Sequence, residues 1–357
     1  MKSMPKISML ACLALSCVQA ADEVKLNEVT VTSATGFEQN IKDAPASVSV
    51  ISQKEIAKRN HQDIESIVKD APGVFGATLG AASRRGITMR GLGQKYTKIL
   101  IDGRPATSDS AYRGLRAVGS AQNFLPPANT IERIEIVRGP MSSLYGSDAM
   151  GGVINIITKG FSNEFSGNVN GYYTLAGKSG INDDYQTGFY ANGAVIPDVL
   201  GIALYGRYFH KFEDERAFTN RKNEDVNFGA KIMYNATEND GIALDLRRVV
   251  NKYERTEGKT LNRTASDNTS VAFEKMSGYT ASLSHTGKYD KLLLESFLMH
   301  DNMKESGQQD LTLKTTTLNT KGTYFFDNNT LSLGAEYKRE RLNEKATTAD
   351  AANVKRY

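Results

Sequence analysis

The stretch DVNFGAKIMYN, residues 225–235, alternates apolar and polar side chains with a period of two. Val226 and Phe228 lie on one side of an extended chain, while Asn227 lies on the other. The stretch TLSLGAEYK, residues 330–338, repeats the alternation. This period predicts β-strands that have one apolar and one polar face.

Seven further segments between residues 166 and 326 have the same rhythm, each near the ~9–11 residues with which a tilted strand crosses a bilayer. Only one of the eight prolines, Pro197, lies after residue 160, so proline rarely interrupts these ladders. Short turns alternate with long polar stretches. The predicted long loops are Glu213 to Glu224, Lys252 to Ser270 and Asn302 to Lys314. The pattern favours an antiparallel transmembrane β-barrel, with a soluble antiparallel sandwich as the alternative.

Two helices are predicted in the first half of the chain. Ser52 and Glu55 have the spacing of a capping box, and Ile51 is placed to act as a hydrophobic staple. A second helix is predicted within DIESIVKDAPG, residues 63–73, where three apolar residues form one stripe and a proline–glycine pair ends it. A helix should therefore begin near residue 52 and another near residue 64.

Short apolar strands follow these helices. They lie in TKILIDG (97–103), IERIEIVRG (131–139) and GVINIITK (152–159). Continuous apolar runs of this length are typical of strands in a buried sheet. The region from about residue 40 to 160 therefore predicts a small α+β globule.

Residues 1–20 have the pattern of a secretory signal peptide, because two lysines precede a short apolar run that ends in small residues. Both cysteines, Cys12 and Cys17, lie in this segment, so the mature chain should have no disulfide and no thiolate site. Lys and Arg, 44 in all, are mixed among 40 Asp and Glu, without a basic block. This charge pattern excludes nucleic acid as a partner.

The glycine-rich segments do not complete a nucleotide-binding motif. From Gly146 the spacing matches a P-loop through Gly151, but Gly152 and Val153 stand where phosphate binding needs Lys and then Ser or Thr. In RGLGQKY, Tyr96 replaces the third glycine of a dinucleotide fingerprint. The four histidines are scattered without metal-ligand spacing. We predict no enzymatic activity, no catalytic residue, no metal site and no cofactor.

The segment NEVTVTSA, residues 27–34, is short and β-prone, with little apolar sequence around it to pack against. Such a strand can be added to the sheet edge of another protein. An ordinary first strand of the globule is the alternative. The residues alone leave both open.

Four motifs of the chain resemble those of TonB-dependent outer-membrane receptors, and most of all the ferric catecholate siderophore receptors and the colicin I receptor. The motifs are NEVTVTSA (27–34), ITMRGLG (87–93), ILIDGRP (99–105) and IERIEIVRGPMSSLYGSDAMGGVINIITK (131–159). The resemblance covers the mature chain. It implies an N-terminal segment at 21–39, an α+β plug domain at 40–160 and part of an antiparallel transmembrane β-barrel at 161–357.

The resemblance implies TonB-dependent uptake of a ferric siderophore, of the catecholate or enterobactin type, across the outer membrane of a Gram-negative bacterium. Iron would enter only as part of this cargo. The implied partners are TonB with its inner-membrane energising complex, the siderophore, outer-membrane lipid and also colicins or phage. The implied TonB box is Glu28, Val29, Thr30, Val31, Thr32, Ser33 and Ala34.

Basic and aromatic side chains suit an anionic catecholate complex, because Arg supplies permanent charge and aromatic rings pack against catechol. The candidate binding residues are Arg84, Arg85, Arg104, Tyr112, Arg113, Arg116, Tyr253, Arg255 and Arg263. For each of them a solvated surface charge is the alternative. The candidates for ion pairs between plug and barrel are Arg90, Glu132, Arg133, Glu135 and Arg138.

The sequence supplies about nine complete strands, whereas receptors of this kind have roughly 22. An open half-barrel would leave backbone groups unpaired in hydrocarbon. We therefore expect a truncated or partial receptor, by an origin that the sequence does not reveal. The other hypotheses are a passive porin or adhesin, a fragment without function, and a periplasmic nucleotide-dependent enzyme. The cargo, which could also be haem or cobalamin, and the oligomeric state are left open.

Overall fold

The computed structural model describes residues 30–58, 64–79, 84–93, 96–106, 125–216, 219–261, 272–307 and 310–345. These residues form two parts. The N-terminal domain, residues 30–159, contains short strands and helices, and the wall sheet, residues 166–345, contains nine antiparallel strands. This agrees with the predicted fold class in having an α+β domain followed by an antiparallel sheet of long strands.

The N-terminal domain is built around a mixed five-stranded sheet, which we call the main sheet. The nine described strands of the domain are β1 (Thr30–Val31), β2 (Gln39–Asn40), β3 (Ser47–Ser52), β4 (Val74–Leu79), β5 (Arg84–Met89), β6 (Thr97–Ile101), β7 (Arg104–Pro105), β8 (Ile131–Arg138) and β9 (Gly152–Thr158). The main sheet has the order β3-β8-β9-β6-β7, and only its β6–β9 pair is parallel. Two separate antiparallel pairs, β1–β2 and β4–β5, lie outside it.

Both faces of the main sheet are buried. Ile136 of β8 and Ile154 of β9 pack in one apolar cluster, while Val137 and Val153 pack in a second. A strand that is covered on both faces needs apolar residues at successive positions, which explains the continuous apolar runs of the sequence. The predicted strands are confirmed.

Three short α-helices accompany this sheet: α1 (Gln53–Ile56), α2 (Ile64–Val68) and α3 (Ser142–Tyr145). The capping box of α1 is present, because the Ser52 backbone N–H donates to Glu55 Oε2 at 2.8 Å and the Glu55 N–H donates to Ser52 Oγ at 3.4 Å. In α2 the predicted apolar stripe is buried. Both helix predictions are confirmed. None of the helices described is long and apolar enough to span a membrane.

The wall sheet follows the chain order without crossovers. Its strands are β10 (Ser166–Thr174), β11 (Asp184–Ile196), β12 (Leu200–Lys211), β13 (Lys222–Asn235), β14 (Asp240–Glu254), β15 (Phe273–Tyr289), β16 (Leu292–Ser306), β17 (Asp310–Phe325) and β18 (Thr330–Lys345). Each strand is antiparallel to its neighbours. Among the described strands, β10 and β18 have one neighbour each, so the sheet is open.

The two faces of the wall sheet differ as the period of two predicts. Asn227 of β13 is 1% exposed and donates to the Leu125 carbonyl of the N-terminal domain at 2.7 Å. The next residue, Phe228, is 53% exposed. The polar face therefore packs on the N-terminal domain, and the apolar face points away from it.

One connection differs from the prediction. Asn302 to Lys314 was expected to form a long loop, but β16 continues to Ser306 and β17 begins at Asp310. The expectation was wrong because the polar residues there alternate along extended strands, and polarity alone does not distinguish a solvated strand end from a loop.

Candidate functional site

The segment Thr30–Ala34, the described part of the predicted TonB box, is held against the N-terminal domain. We call it the tethered segment. Thr30 and Val31 pair with β2, and Val31, Ser33 and Ala34 are buried. Glu28 and Val29 lie outside the described residues. The tethered segment therefore contacts the fold with its backbone and with its small side chains.

The main contact of the tethered segment is the buried carboxylate of Glu135 in the middle of β8. Its Oε2 accepts hydrogen bonds from the backbone N–H groups of Thr32 at 3.0 Å and Ser33 at 2.9 Å. The two hydroxyl groups donate to the same oxygen, at 3.2 and 2.5 Å. Arg133 Nε lies 3.0 Å from Oε1. Hydrogen bonds to an ionised acceptor are stronger than neutral ones, so one carboxylate fixes this turn of chain.

Side chains from helix α3 and strand β9 complete the contact. Tyr145 Oη donates to the Ser33 carbonyl at 3.1 Å, and Asn155 Nδ2 donates to Ser33 Oγ at 3.0 Å. Burial, together with the negative charge of Glu135, raises the pKa of Tyr145, so its hydroxyl keeps the proton that it donates. Ser33 thus has a partner for each of its backbone and side-chain polar groups.

The chain that follows the tethered segment contacts the wall sheet. Lys321 of β17 donates to the Gly36 carbonyl at 2.6 Å and also pairs with Glu295 of β16 at 2.6 Å. The rings of Phe37 and Phe325 meet edge to face with centroids 5.2 Å apart. Residues 30–37 therefore connect the N-terminal domain to the wall.

A second group of contacts joins the N-terminal domain to the wall sheet through charged side chains. Lys231 of β13 donates to Asp102 Oδ2 at 2.9 Å and to Thr158 Oγ1 at 2.8 Å. Arg104 donates to Ser282 Oγ of β15 at 2.9 Å and lies 3.7 Å from Asp245 Oδ2 of β14. We call this group the anchor cluster, consisting of Asp102, Arg104, Thr158, Lys231, Asp245 and Arg247.

The β6–β7 turn positions Asp102, a residue that the N-terminal domain contributes to the anchor cluster. Asp102 and Gly103 both have positive φ, at 48° and 76°, as the central residues of a tight Asp-Gly hairpin turn require. Thr158 holds the Asp102 carboxylate through its backbone N–H and hydroxyl, both at 2.8 Å. Burial alone would raise the pKa of this carboxyl, but the charges of Lys231 and Arg104 outweigh it and lower the pKa to about 2. Asp102 is therefore ionised at neutral pH.

The described residues among the predicted binding candidates lie in different elements of the fold. Arg84 and Arg85 begin β5, where the backbone pairs Arg84 with Leu79 and Arg85 with Thr78. Arg104 lies in the anchor cluster. Tyr253 lies at the end of β14 under the guanidinium of Arg221, whose carbon is 3.5 Å from the ring centroid. Arg221 also pairs with Glu274 at 2.7 Å.

The remaining predicted residues have other surroundings. The Arg255 backbone N–H donates to the Ala272 carbonyl at 2.8 Å, and Tyr112, Arg113, Arg116 and Arg263 lie outside the described residues. Arg133 pairs with Glu132 at 2.8 Å as well as with Glu135.

Arg138 donates to Ser47, Ser49 and the Pro72 carbonyl, at 2.8 to 3.2 Å. Burial and the neighbouring charge of Arg90 lower the pKa of Arg138. The Arg90 backbone N–H donates to the Gly73 carbonyl at 3.0 Å.

The sequence did not single out Lys231, Asp245 or Lys321 as functional. Lys231 carried a usable signal, because it is a cation on the polar face of the stretch 225–235. A lone charge on the inward face of a strand needs a partner in the adjacent domain. Among the described residues, no group of His, Cys, Asp or Glu is arranged to hold a metal ion.

The fold and these contacts define a class: a small α+β domain attached to the polar face of a long-stranded sheet whose other face is apolar. The comparisons with known proteins agree with it. Residues 40–153 match the family described as TonB-dependent Receptor Plug Domain. Residues 40–153 are thus a plug domain of TonB-dependent receptors, and the chain matches the N-terminal half of TonB-dependent siderophore receptors in sequence and fold.

Three relatives illustrate the match. The iron-regulated outer membrane virulence protein of Vibrio cholerae is 31% identical over 338 residues, which cover 92% of this chain and 50% of that protein. The ferric enterobactin receptor of Pseudomonas aeruginosa is 33% identical over 57% of this chain and 29% of its own. The crystal structure of the siderophore receptor PirA from Acinetobacter baumannii superposes with a TM-score of 0.71 at 24% identity, covering 83% of this chain and 48% of that one. The match spans half the length of the Vibrio relative and less than half the length of the other two proteins.

Proposed function

We propose that this protein is an outer-membrane receptor for the TonB-dependent uptake of a ferric siderophore, exported by a signal peptide at residues 1–20. The observation that carries the proposal is the tethered segment, a β-prone strand held by Glu135 on a domain that matches the plug family. The relatives, which include an iron-regulated outer membrane virulence protein and a ferric enterobactin receptor, support the same function. The proposed function requires no covalent chemistry.

The proposed role of the tethered segment is strand addition to TonB. Each main-chain hydrogen bond that such a strand forms contributes roughly 0.5–1.5 kcal/mol, so a few residues give a reversible contact. The buried Ser33 and Ala34 must leave the domain before their backbone can pair with a partner. Glu135 and Tyr145 would therefore set the availability of the segment.

A chimaera tests this role. Residues 1–345 are joined to the C-terminal half of the Vibrio cholerae relative, and uptake of radiolabelled iron from a ferric catecholate is measured in cells with and without TonB. Thr30→Pro blocks strand pairing, while its neighbours keep their contacts with Glu135. Thr30→Val is the matched control, because Val keeps the β-propensity and the backbone N–H. Uptake that is undiminished in Thr30→Pro, or that needs no TonB, would contradict the proposal and favour a passive porin or an adhesin.

We further propose that the cargo is a catecholate complex and that Arg84, Arg85, Tyr253 and Arg255 contact it. A charged hydrogen bond contributes about 1.5–3 kcal/mol, so loss of both arginines of β5 should weaken binding by at least tenfold. Binding of ferric catecholate, haem and cobalamin to the chimaera, measured by quenching of tyrosine fluorescence, compares the cargo classes. Tighter binding of haem or cobalamin than of the catecholate would refute this choice.

A further inference from the structure

We propose that the wall sheet carries a binding surface for the phosphate groups of lipid headgroups, on the face that points away from the N-terminal domain. This inference rests on the proposed membrane location of the wall sheet. The two faces can be assigned from the register. Lys231, Asp245 and Ser282 are cross-strand neighbours on β13, β14 and β15, and all three contact the N-terminal domain. Because side chains alternate along a strand, the residues one position away from them on each strand face outward.

The outward face begins, on the side of the short turns, with an apolar zone. Leu283, Leu298, Leu318 and Tyr337 are direct cross-strand neighbours on β15 to β18, and each is about half exposed or more. Leucine rows of this kind suit contact with lipid chains. The apolar zone fixes where the hydrocarbon would lie.

Next to the apolar zone, on the side of the connections that follow Glu254 and Ser306, the outward residues become cationic. We call these residues the cationic belt: Arg248, Lys275, Lys304, Lys314, Arg339 and Arg341. In one row of the register, Arg248 lies opposite Tyr279, which lies opposite Asn302, then Lys314 and finally Arg341. Arg339 lies one outward position from Tyr337, roughly 7 Å along the strand, within the length of its own side chain. The belt therefore adjoins the apolar zone directly.

The belt has little negative charge of its own. None of its six side chains forms an ion pair with a described residue, whereas Lys222 and Lys252 on β13 and β14 pair with Glu224 and Glu254. Among the described residues of β15 to β18, only Asp310, at the end of β17, is an outward carboxylate. The surplus of positive charge is thus concentrated on the last four strands.

The opposite ends of the same strands show no such surplus. Lys288, the last but one residue of β15, and Lys291, in the turn that follows, lie close in sequence to Asp290, and Lys291 pairs with Asp327 at 3.0 Å. Among the described residues of β14 to β18, positive charge is therefore in excess on the side of the long connections. An anionic headgroup layer at the edge of the apolar zone is the partner that matches this asymmetry, since Lys and Arg extend from an apolar surface toward phosphates.

Vesicle flotation of the full chain tests the inference. The lipids are phosphatidylcholine alone, phosphatidylcholine with phosphatidylglycerol, and phosphatidylcholine with a diphosphorylated glycolipid. The test variant is Lys304→Glu with Lys314→Glu. The matched control is Lys288→Glu with Lys291→Glu, which makes the same change of charge at the other end of the strands. Circular dichroism and protease resistance of each variant check that the fold is unchanged.

We expect the wild-type chain to bind the two phosphate-rich mixtures more tightly than phosphatidylcholine, with a preference that falls as salt is added. The belt variant should lose roughly tenfold to thirtyfold in binding to these mixtures, while the control keeps its binding. Lys304→Arg with Lys314→Arg should bind as the wild type does. Equal losses in the belt and control variants would overturn the inference and leave the proposed function standing. A wild-type chain that binds no vesicle, neutral or anionic, would count against both.

Discussion

The N-terminal domain and the wall sheet bury opposite kinds of residues. The main sheet of the domain encloses isoleucines such as Ile136 and Ile154, each without exposed surface. The wall sheet covers Asn227, Asn251 and other polar residues against the domain, and leucines such as Leu298 and Leu318 are exposed on the far side. Both regions are hydrogen-bonded β-sheets, so the backbone structure does not explain which residues are buried. The surroundings of each face explain it: a protein core lies on both faces of the main sheet, whereas the wall sheet has the N-terminal domain on one face and, in the proposed membrane location, lipid on the other.

The largest effect is expected when one buried residue of the domain and one exposed residue of the wall sheet are each replaced by alanine. Ile136→Ala leaves a cavity between strands that cannot collapse, and should lower the free energy of unfolding of the domain by about 2–5 kcal/mol. Leu318→Ala, on the exposed face of β17, should cost less than about 1 kcal/mol in detergent. Hydrogen exchange of β8, β9 and β17 measures both free energies in the same protein. Equal losses would show that the outward leucines are packed in a core and that the comparison is wrong.

The second effect concerns the anchor cluster, where the two regions meet. Lys231→Met removes the cation that lies 2.9 Å from Asp102 and leaves a largely buried carboxylate with Arg104 as its remaining charged partner. Breaking such a pair should cost about 3 kcal/mol, seen as faster exchange and proteolysis of the β6–β7 turn.

Its control is Lys291→Met, which breaks the exposed pair with Asp327 and should cost no more than about 1 kcal/mol. Adding Asp102→Asn to Lys231→Met should restore part of the loss, because the unpaired charge is removed. Similar costs for the two lysine variants would mean that the anchor cluster does not hold the domain to the wall.

Acid should loosen the same contact by a smaller amount. The pKa of Asp102 is lowered from 3.8 to about 2 in the folded protein, so its ionised form stabilises the fold at any pH above the unfolded value. This contribution, about 2 kcal/mol, should be lost as the pH falls from about 4 to about 2. The measurement is the stability of the wild-type chain against pH. An Asp102→Asn chain should lack this acid-dependent step, and an identical step in both would assign it to other carboxylates.

Local patterns in the sequence predicted most of the fold. The capping box at Ser52, the apolar stripe of α2 and the alternation along β13 each depend on neighbours within a few residues, and all three are present. The anchor cluster depends on the register of distant strands, which brings Lys231 to a carboxylate 129 residues away in the chain. Arg104 was proposed for cargo because a basic side chain suits an anionic complex, and its burial against β15 follows from that same register.

The polar run 302–314 is a second place where the sequence alone did not predict the structure. It was predicted as a loop because it carries lysines and amides, yet Lys304 and Lys314 are outward residues of paired strands. Beyond the apolar zone the outward residues of β17 are polar and the apolar Leu311 and Leu313 face inward, so the apolar outward side that marks the other strands is missing there. The cationic belt was hidden in the sequence for this reason, and it becomes visible only when the register is known.

The smallest effect stays within one helix and shows how local the sequence signals of the domain are. Ser52→Ala removes the acceptor of the Glu55 N–H and half of the capping box of α1, and should lower stability by about 1 kcal/mol. Ser52→Asp keeps an acceptor at the helix N-terminus and should keep most of that stability. Hydrogen exchange should change at the amides of α1 and leave those of β13 as they were, because α1 has no part in the anchor cluster. A change that spread to the wall sheet would show that the two regions fold as one unit. The N-terminal domain and the wall sheet would then differ in the residues they bury but not in their stability.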